Sequence, residues 1–186
     1  LEINKNSSGS ELKRSDEDSE VNTIKVKTKI EKEPIKEPIK EPIINLKGIV
    51  IDSKSGISGA GRNIDLGYLF SEVNEGVKAY KVGVHRHTPE IEQELSLLSG
   101  EKVNVSFTPH LIPMDRGILT TIYTNIKKDI NEKNLFSLYK RYYSGKTFIR
   151  VLEQGRLPFT KDVRGTNFCD IGVKVDQRVG RIIVIT

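Results

Sequence analysis

Apolar positions are sparse from Leu1 to Ile44, where no aromatic residue occurs, and from Leu46 onward they recur with the short periods of strands and helices. Leu46-Lys47-Gly48-Ile49-Val50-Ile51-Asp52 is a β-branched run closed by Ser and Gly, which predicts a buried strand. Val77 to Val84 predicts a second strand, and Val103, Val105 and Phe107 alternate as a third. Gly117 to Ile126 is a longer β-rich run, followed later by Phe148 to Leu152, Cys169 to Val175 and Arg181 to Thr186. Helical spacing is found between them. Ile91, Leu95 and Leu98 fall at i, i+4 and i+7, with Thr88 as a cap, Pro89 and Glu90 in the first turn and Gly100 as a stop, which predicts a helix over Pro89 to Ser99. Asn131 to Tyr143 places Leu135, Leu138, Tyr139 and Tyr142 on one face before Gly145, and Asp65 to Val73 suits a shorter helix. The combination predicts an α+β domain, a mixed β-sheet with helices packed on one face.

The first 44 residues read differently. They contain the tandem Glu33-Pro34-Ile35-Lys36, Glu37-Pro38-Ile39-Lys40 and Glu41-Pro42-Ile43, and too little apolar side chain to offset the entropy of ordering. The organisation expected is a disordered low-complexity segment over 1–44, then a folded domain over 45–186. The first segment is nearly neutral, with 9 basic and 10 acidic residues, so the excess positive charge lies in the second, which has 21 basic and 15 acidic residues. That charge is spread without a block of five like residues, which suits a small anionic substrate or cofactor as well as nucleic acid; no aromatic-interleaved basic patch favours the latter, and no nucleic-acid partner is expected. A single cysteine, Cys169, excludes an internal disulfide and a cysteine metal cluster. No apolar run approaches the length of a membrane span. A chain that starts at Leu1 and has Met114 as its only methionine reads as a piece of a longer product, and a last strand running to Thr186 gives the same expectation.

Two phrases concentrate chemistry. Ser53-Lys54-Ser55-Gly56-Ile57-Ser58-Gly59-Ala60-Gly61-Arg62 has glycines that let the backbone approach a ligand, and its N–H groups, the Ser55 and Ser58 hydroxyls and the Arg62 guanidinium form a candidate anion cradle. The spacing is neither a dinucleotide fingerprint nor a P-loop, and a plain turn is the competing reading. His85-Arg86-His87-Thr88-Pro89-Glu90 holds two of the three histidines. At a strand end His85 and His87 would point the same way, as general acid or base, with Glu90 fixing a tautomer. A metal would need a third ligand, for which His110 and Asp115 are candidates, but the spacing matches no standard site. Phe107 to Gly117 reads as a proline-punctuated loop from which Arg116 and His110 can reach an anion. Cys169 reads as a buried, inert thiol.

These phrases, with Ala79-Tyr80-Lys81-Val82-Gly83, the run Phe107 to Leu119 and Gly165-Thr166-Asn167-Phe168-Cys169-Asp170-Ile171-Gly172, resemble N-acetyl-gamma-glutamyl-phosphate reductase from about Leu46 to the end. The resemblance implies a cytoplasmic NADP-dependent enzyme of arginine biosynthesis that forms a homo-oligomer and takes a small anionic acyl phosphate, N-acetyl-glutamyl 5-phosphate, to the semialdehyde. It implies a thioester on a cysteine outside this chain, and makes 45–186 the substrate-binding and dimerisation domain. The acid/base role falls on His85, with Glu90 as orienting partner and His87 in reserve; Ser55, Ser58, Arg62 and Arg116 become substrate contacts, and no metal is expected. The family's cofactor fingerprint and its nucleophile phrase are missing, so the NADP site is expected mostly outside this chain, and the chain alone is expected to be inactive. Aspartate-semialdehyde dehydrogenase is the near alternative, and a non-catalytic anion-binding or dimerisation module the distant one.

Overall fold

The structure, a computed structural model, describes residues 42–60 and 65–186. The Glu-Pro-Ile-Lys repeats before Pro42 and the end of the glycine-rich phrase, including Arg62, lie outside the described residues.

Among the described residues, seven strands form one mixed sheet: β1 (Ile49–Ser55), β2 (Lys78–Ala79), β3 (Val105–Leu111), β4 (Ile118–Asn125), β5 (Ile149–Val151), β6 (Cys169–Asp176) and β7 (Arg181–Ile185). Their order across the sheet is β2-β3-β1-β4-β7-β6-β5. β1 runs parallel to β3 and antiparallel to β4, and β5 runs parallel to β6; the remaining pairs are antiparallel. The helices are α1 (Phe70–Val73), α2 (Thr88–Ser99), α3 (Glu132–Tyr142) and α4 (Thr160–Val163), with 3-10 turns at Ile57–Ala60 and Leu66–Tyr68.

Side-chain alternation along β1 decides which face is covered. Ile49 and Ile51 are buried and, with Val103, meet Ile91 and Leu95 of α2. Register carries that face across the sheet: Ile51 pairs with Ile122, Ile122 with Val184, and Val184 with Val173. Val173, Val175 and Ile182 form a second core with Leu135 of α3. Both longer helices therefore pack on the same face, as the hydrophobic pattern predicts. Ile44 packs against both cores and bridges Ile126, while the Ile43 carbonyl accepts from Lys127 and Lys128 N–H, so the last Pro-Ile of the repeat tract is tied into the domain. The opposite face presents Asp52, Lys54, Thr121, Tyr123 and Ile183.

The helix ends follow capping chemistry. The Asn131 side chain accepts from Asn134 N–H at the start of α3. Gly100 ends α2 with φ 73°, donating its N–H to the Ser96 carbonyl. The start of α2 departs from expectation. Thr88 is its first helical residue and its hydroxyl is buried without a partner; His87 is the N-cap, already at α-helical φ and ψ, because Ile91 N–H bonds to the His87 carbonyl. Leu98 is half exposed, so the α2 stripe is effectively Ile91 and Leu95.

Two further departures trace to Pro109. The run predicted as a strand over Val77 to Val84 keeps only Lys78–Ala79, paired with Leu111 and His110. Tyr80 N–H still bonds to the Pro109 carbonyl, but proline has no N–H to return, so the ladder stops and the chain turns at Lys81 to Val84. Pro109 and His110 themselves lie on β3, so the loop expected from Phe107 shortens to the stretch after Leu111.

Leu135 is 1% exposed at the centre of the α3 core. Leu135→Ala is expected to lower unfolding free energy by roughly 2–5 kcal/mol in urea titrations. A loss below about 1 kcal/mol would show that α3 is not packed as described.

Candidate functional site

His85 is placed by a turn and a helix start. Lys81 adopts φ 46° and Gly83 φ 72°, Val84 N–H bonds to the Lys81 carbonyl, and Thr88 N–H bonds to the His85 carbonyl as α2 begins. His85 and His87 are thus not on a strand, and the side-by-side arrangement that a strand would impose does not hold. The His85 ring instead lies edge to face with Tyr80, His87 and Phe107, at centroid separations of 5.5, 5.0 and 5.2 Å. It is buried, with 9% of its surface exposed, and its Nδ1 accepts the His87 main-chain N–H at 3.2 Å. Glu90 sits exposed in the first turn of α2, so the group that fixes the ring is a backbone N–H.

Burial, then the neighbouring His87, Lys81 and Arg86 charges, push the His85 pKa below its ordinary value of 6.5. The folded ring is therefore held neutral more firmly than the unfolded one.

The glycine-rich loop is built for close packing. Gly56, Ile57 and Ser58 N–H groups donate to the Gly117, Met114 and Asp115 carbonyls at 2.9, 2.9 and 3.0 Å, and Gly59 N–H donates to the Gly56 carbonyl. A cradle of free N–H groups does not form at these four positions, because the loop after β3 already occupies them. A Cβ on Gly56 would stand 2.7 Å from the Met114 carbonyl oxygen, which explains the glycine there. Ser55 is buried and its hydroxyl bonds to the Gly56 carbonyl, whereas Ser58 is exposed.

Arg116, on the loop that Gly56 to Ser58 grip, lines a cavity of about 580 Å³. Leu119, Phe159, Arg164, Asn167 and Cys169 share its wall, and His85 is not part of it. The expected site residues thus divide: His85 and His87 at the start of α2, with the His85 ring against Phe107 of β3, and Ser55, Ser58 and Arg116 at the C-terminal end of β1. His110 takes part in neither group. Its partner Lys54 and its neighbour Asp52 lie on the opposite face of the sheet from Phe107, and its Nδ1 stands 3.2 Å from Asp52 Oδ1, which also holds Lys54 Nζ at 2.7 Å. It cannot join His85 as a third metal ligand.

Arg164 and Asn167, and the pair of Arg150 with the buried Asp170, were not anticipated as polar features. Arg150 Nη2 donates to Asp170 Oδ2 at 2.8 Å while its guanidinium lies over Phe168, 4.5 Å from the ring centroid. Period-two reading sets Asp170 on the face opposite Ile171, Val173 and Val175, beside Gly172 and Lys174, so its burial carries no signal in the sequence. Cys169 is half-buried, with its Sγ 3.0 Å from the Thr186 hydroxyl.

Residues 34–186 match the family described as "Semialdehyde dehydrogenase, dimerisation domain", and the chain belongs to that family. More particularly, it is 59% identical over 145 residues to the N-acetyl-gamma-glutamyl-phosphate reductase of Pelobacter propionicus, covering 77% of this chain and 42% of that protein. It is 54% identical over 144 residues to the enzyme of the same name from Alkaliphilus metalliredigens, with the same shares. The chain thus spans about 42% of the curated relatives it matches. Among solved structures, it resembles aspartate semialdehyde dehydrogenase II from Vibrio cholerae, with TM-score 0.57 and 12% identity over 77% of this chain and 50% of that one. Aspartate semialdehyde dehydrogenase with NADP from Candida albicans aligns with TM-score 0.52 and 14% identity, over 75% and 44%. These structural likenesses establish the fold, an α+β mixed sheet of the dimerisation-domain type.

Gly56→Ala should cost about 1–3 kcal/mol in thermal or urea unfolding, since backbone must move to admit the methyl group. Gly59→Ala should cost less, because its Cβ would meet the Ser55 hydroxyl, which can rotate, rather than backbone. Equal losses would refute the close-packing account. A second expectation concerns pH. The unfolded chain takes up the His85 proton near pH 6.5 and the folded chain only at lower pH, so this residue's contribution to stability is complete above 6.5 and is lost as pH falls below it. An NMR titration should place the His85 midpoint below that of an unstructured histidine, and a midpoint at or above 6.5 would contradict it.

Proposed function

We propose that this chain is the substrate-binding and dimerisation part of an NADP-dependent N-acetyl-gamma-glutamyl-phosphate reductase acting in the cytoplasm in arginine biosynthesis. The observation that carries the reading is the 53–59% identity to proteins of that name over 144–145 residues. The 12–14% likeness to aspartate semialdehyde dehydrogenases supports a shared architecture and does not select a substrate.

On this reading N-acetyl-glutamyl 5-phosphate is converted to the 5-semialdehyde through a thioester on a cysteine outside the chain. Cys169 is unsuited to that role: it is half-buried against the α3 core, and its sulfur is engaged with Thr186. His85 serves as the acid/base group at the acyl oxygen, His87 is its reserve, and Glu90 is the more distant candidate partner. Ser58, Arg62 and Arg116 bind the substrate's anionic groups; the buried Ser55 shapes the loop that presents them. The residues described do not fit a dinucleotide, since the N–H groups of Gly56, Ile57 and Ser58 are spent on carbonyls. The cofactor is therefore assigned to residues beyond them. The sheet face opposite α2 and α3, around Val50, Thr121, Tyr123 and Ile183, suits contact with a second copy, in keeping with the dimerisation-domain family.

In the complete reductase polypeptide, His85→Ala is expected to lower kcat by about 10²–10⁴-fold with little change in the amount of folded protein. Undiminished turnover would remove His85 from the chemistry. The 186-residue chain alone, given NADPH and the acyl phosphate, is expected to form no semialdehyde; measurable product would refute the assignment of nucleophile and cofactor site elsewhere.

A further inference from the structure

We propose that Arg164 and Asn167, within the reductase reading on which this inference rests, are specificity-determining residues that hold the α-carboxylate and the acetamido group of the acyl phosphate in the cavity beside Arg116. The cavity encloses about 580 Å³, in the range of small-molecule sites. Its cationic side chains are Arg116 and Arg164, and neither has an ion pair among the described residues. The acidic side chain in its wall, Asp170, is already engaged by Arg150. The side chains of the cavity therefore leave two positive charges unbalanced, with the neutral amide of Asn167 beside them.

Both cationic walls are held in place before a ligand arrives. Arg116 is clamped on either side, since the Asp115 carbonyl accepts the Ser58 N–H at 3.0 Å and the Gly117 carbonyl accepts the Gly56 N–H at 2.9 Å. Arg164 caps the C-terminus of α4, and Gly165, at φ 75°, reverses the chain after it. Thr166 locks that turn: its Oγ1 donates to the Val163 carbonyl at 2.7 Å and accepts the Phe168 N–H at 3.1 Å, spanning Asn167. Phe168 lies in turn against the guanidinium of Arg150, the partner of Asp170. The buried ion pair thus anchors the Asn167 wall to β6.

The substrate of the reductase reading presents a phosphate, a carboxylate and a secondary amide, and the cavity has a complement for each. Arg116, on the loop gripped by the glycine-rich phrase, is left for the phosphate. The Arg164 guanidinium offers a carboxylate two parallel N–H donors. Asn167 has one carbonyl and one NH₂ group, which complement an acetamido N–H and C=O. A free amine at the same carbon would be an ammonium beside two guanidiniums, with no unpaired carboxylate side chain to receive it. Charge alone therefore selects an N-acylated substrate. The Thr120 hydroxyl in the cavity wall bonds to Ser53 at 2.9 Å, and Ser53 is two residues from Ile51, whose register partner Phe107 touches the His85 ring. Thr120 and Phe107 thus share a face of the sheet, two strands and two residues apart, on the order of 12 Å between backbones. An extended N-acetylglutamyl chain, with the imidazole and guanidinium side chains, spans that gap.

Competitive inhibition of the complete reductase by fragments of the substrate tests the assignment. N-acetylglutamate should bind about 10-fold or more better than 4-acetamidobutyrate, which lacks the α-carboxylate, and than glutarate, which lacks the acetamido group. Arg164→Gln should raise KM for the acyl phosphate about 10–100-fold, leave kcat within about 3-fold and abolish only the preference over 4-acetamidobutyrate. Asn167→Ala should abolish only the preference over glutarate. Asn167→Asp, which puts a carboxylate where the amide stood, should shift selection from N-acetylglutamate toward glutamate by about 10-fold. These ratios are internal to each variant, so a general loss of folded enzyme does not produce them. Variants that keep the full preference for N-acetylglutamate over both analogues overturn the proposal, while turnover by the unmodified enzyme leaves the reductase reading standing. An unmodified enzyme that does not reduce N-acetyl-glutamyl 5-phosphate defeats that reading itself, and the proposal with it.

Discussion

Burial of Ile49 and Ile51 beneath α2 fixes the register of β1 against two neighbours at once, and the rest of the domain is placed from that strand. Because side chains alternate faces, a slip of one residue would exchange Ile51 for Asp52 or Val50 on the covered side. The parallel pairing sets Ile51 beside Phe107, whose ring is one wall of the His85 pocket. The antiparallel pairing sets Ser55 beside Ile118, which brings the glycine-rich loop onto the Met114 to Gly117 carbonyls. Core packing thus positions both halves of the candidate site.

Most elements were legible because the chain states them twice, once as periodicity and once as punctuation. Of the α3 face expected at Leu135, Leu138, Tyr139 and Tyr142, Leu135 and Tyr139 pack in the core, joined there by Phe136 and Tyr143, while Tyr142 is exposed; the capping Asn131 is realised. What was not legible depended on partners distant in sequence. Nothing in Val77 to Val84 reveals that its neighbour would be Pro109, which cannot complete the ladder. Likewise the glycine pattern of Gly56 to Gly61 is compatible with an anion or with another loop. The decision is made by Met114, Asp115 and Gly117, almost sixty residues away in the chain by rough count, whose carbonyls satisfy the N–H groups first.

The His85 pocket shows the same dependence at closer range. Local sequence offered Glu90 as the residue to orient the imidazole, since carboxylates commonly do so. The early start of α2 instead turns the His87 N–H toward Nδ1. Elsewhere the buried Asp170 avoids an uncompensated charge through two hydrogen bonds from Arg150, which is partly covered by Phe168. The two sites of polar burial are solved differently: one by main chain and an aromatic enclosure, the other by a bidentate ion pair.

The hydrogen bonds from Gly56, Ile57 and Ser58 also join two loops that leave different strands. Ser58 cannot be displaced toward a ligand without drawing the Asp115 carbonyl, and with it the adjoining Arg116, in the same direction. The two loops therefore respond as one mechanical body. A ligand that engages the hydroxyl of one meets the guanidinium of the other at a separation set beforehand by the strands, rather than by the freedom of either side chain's backbone.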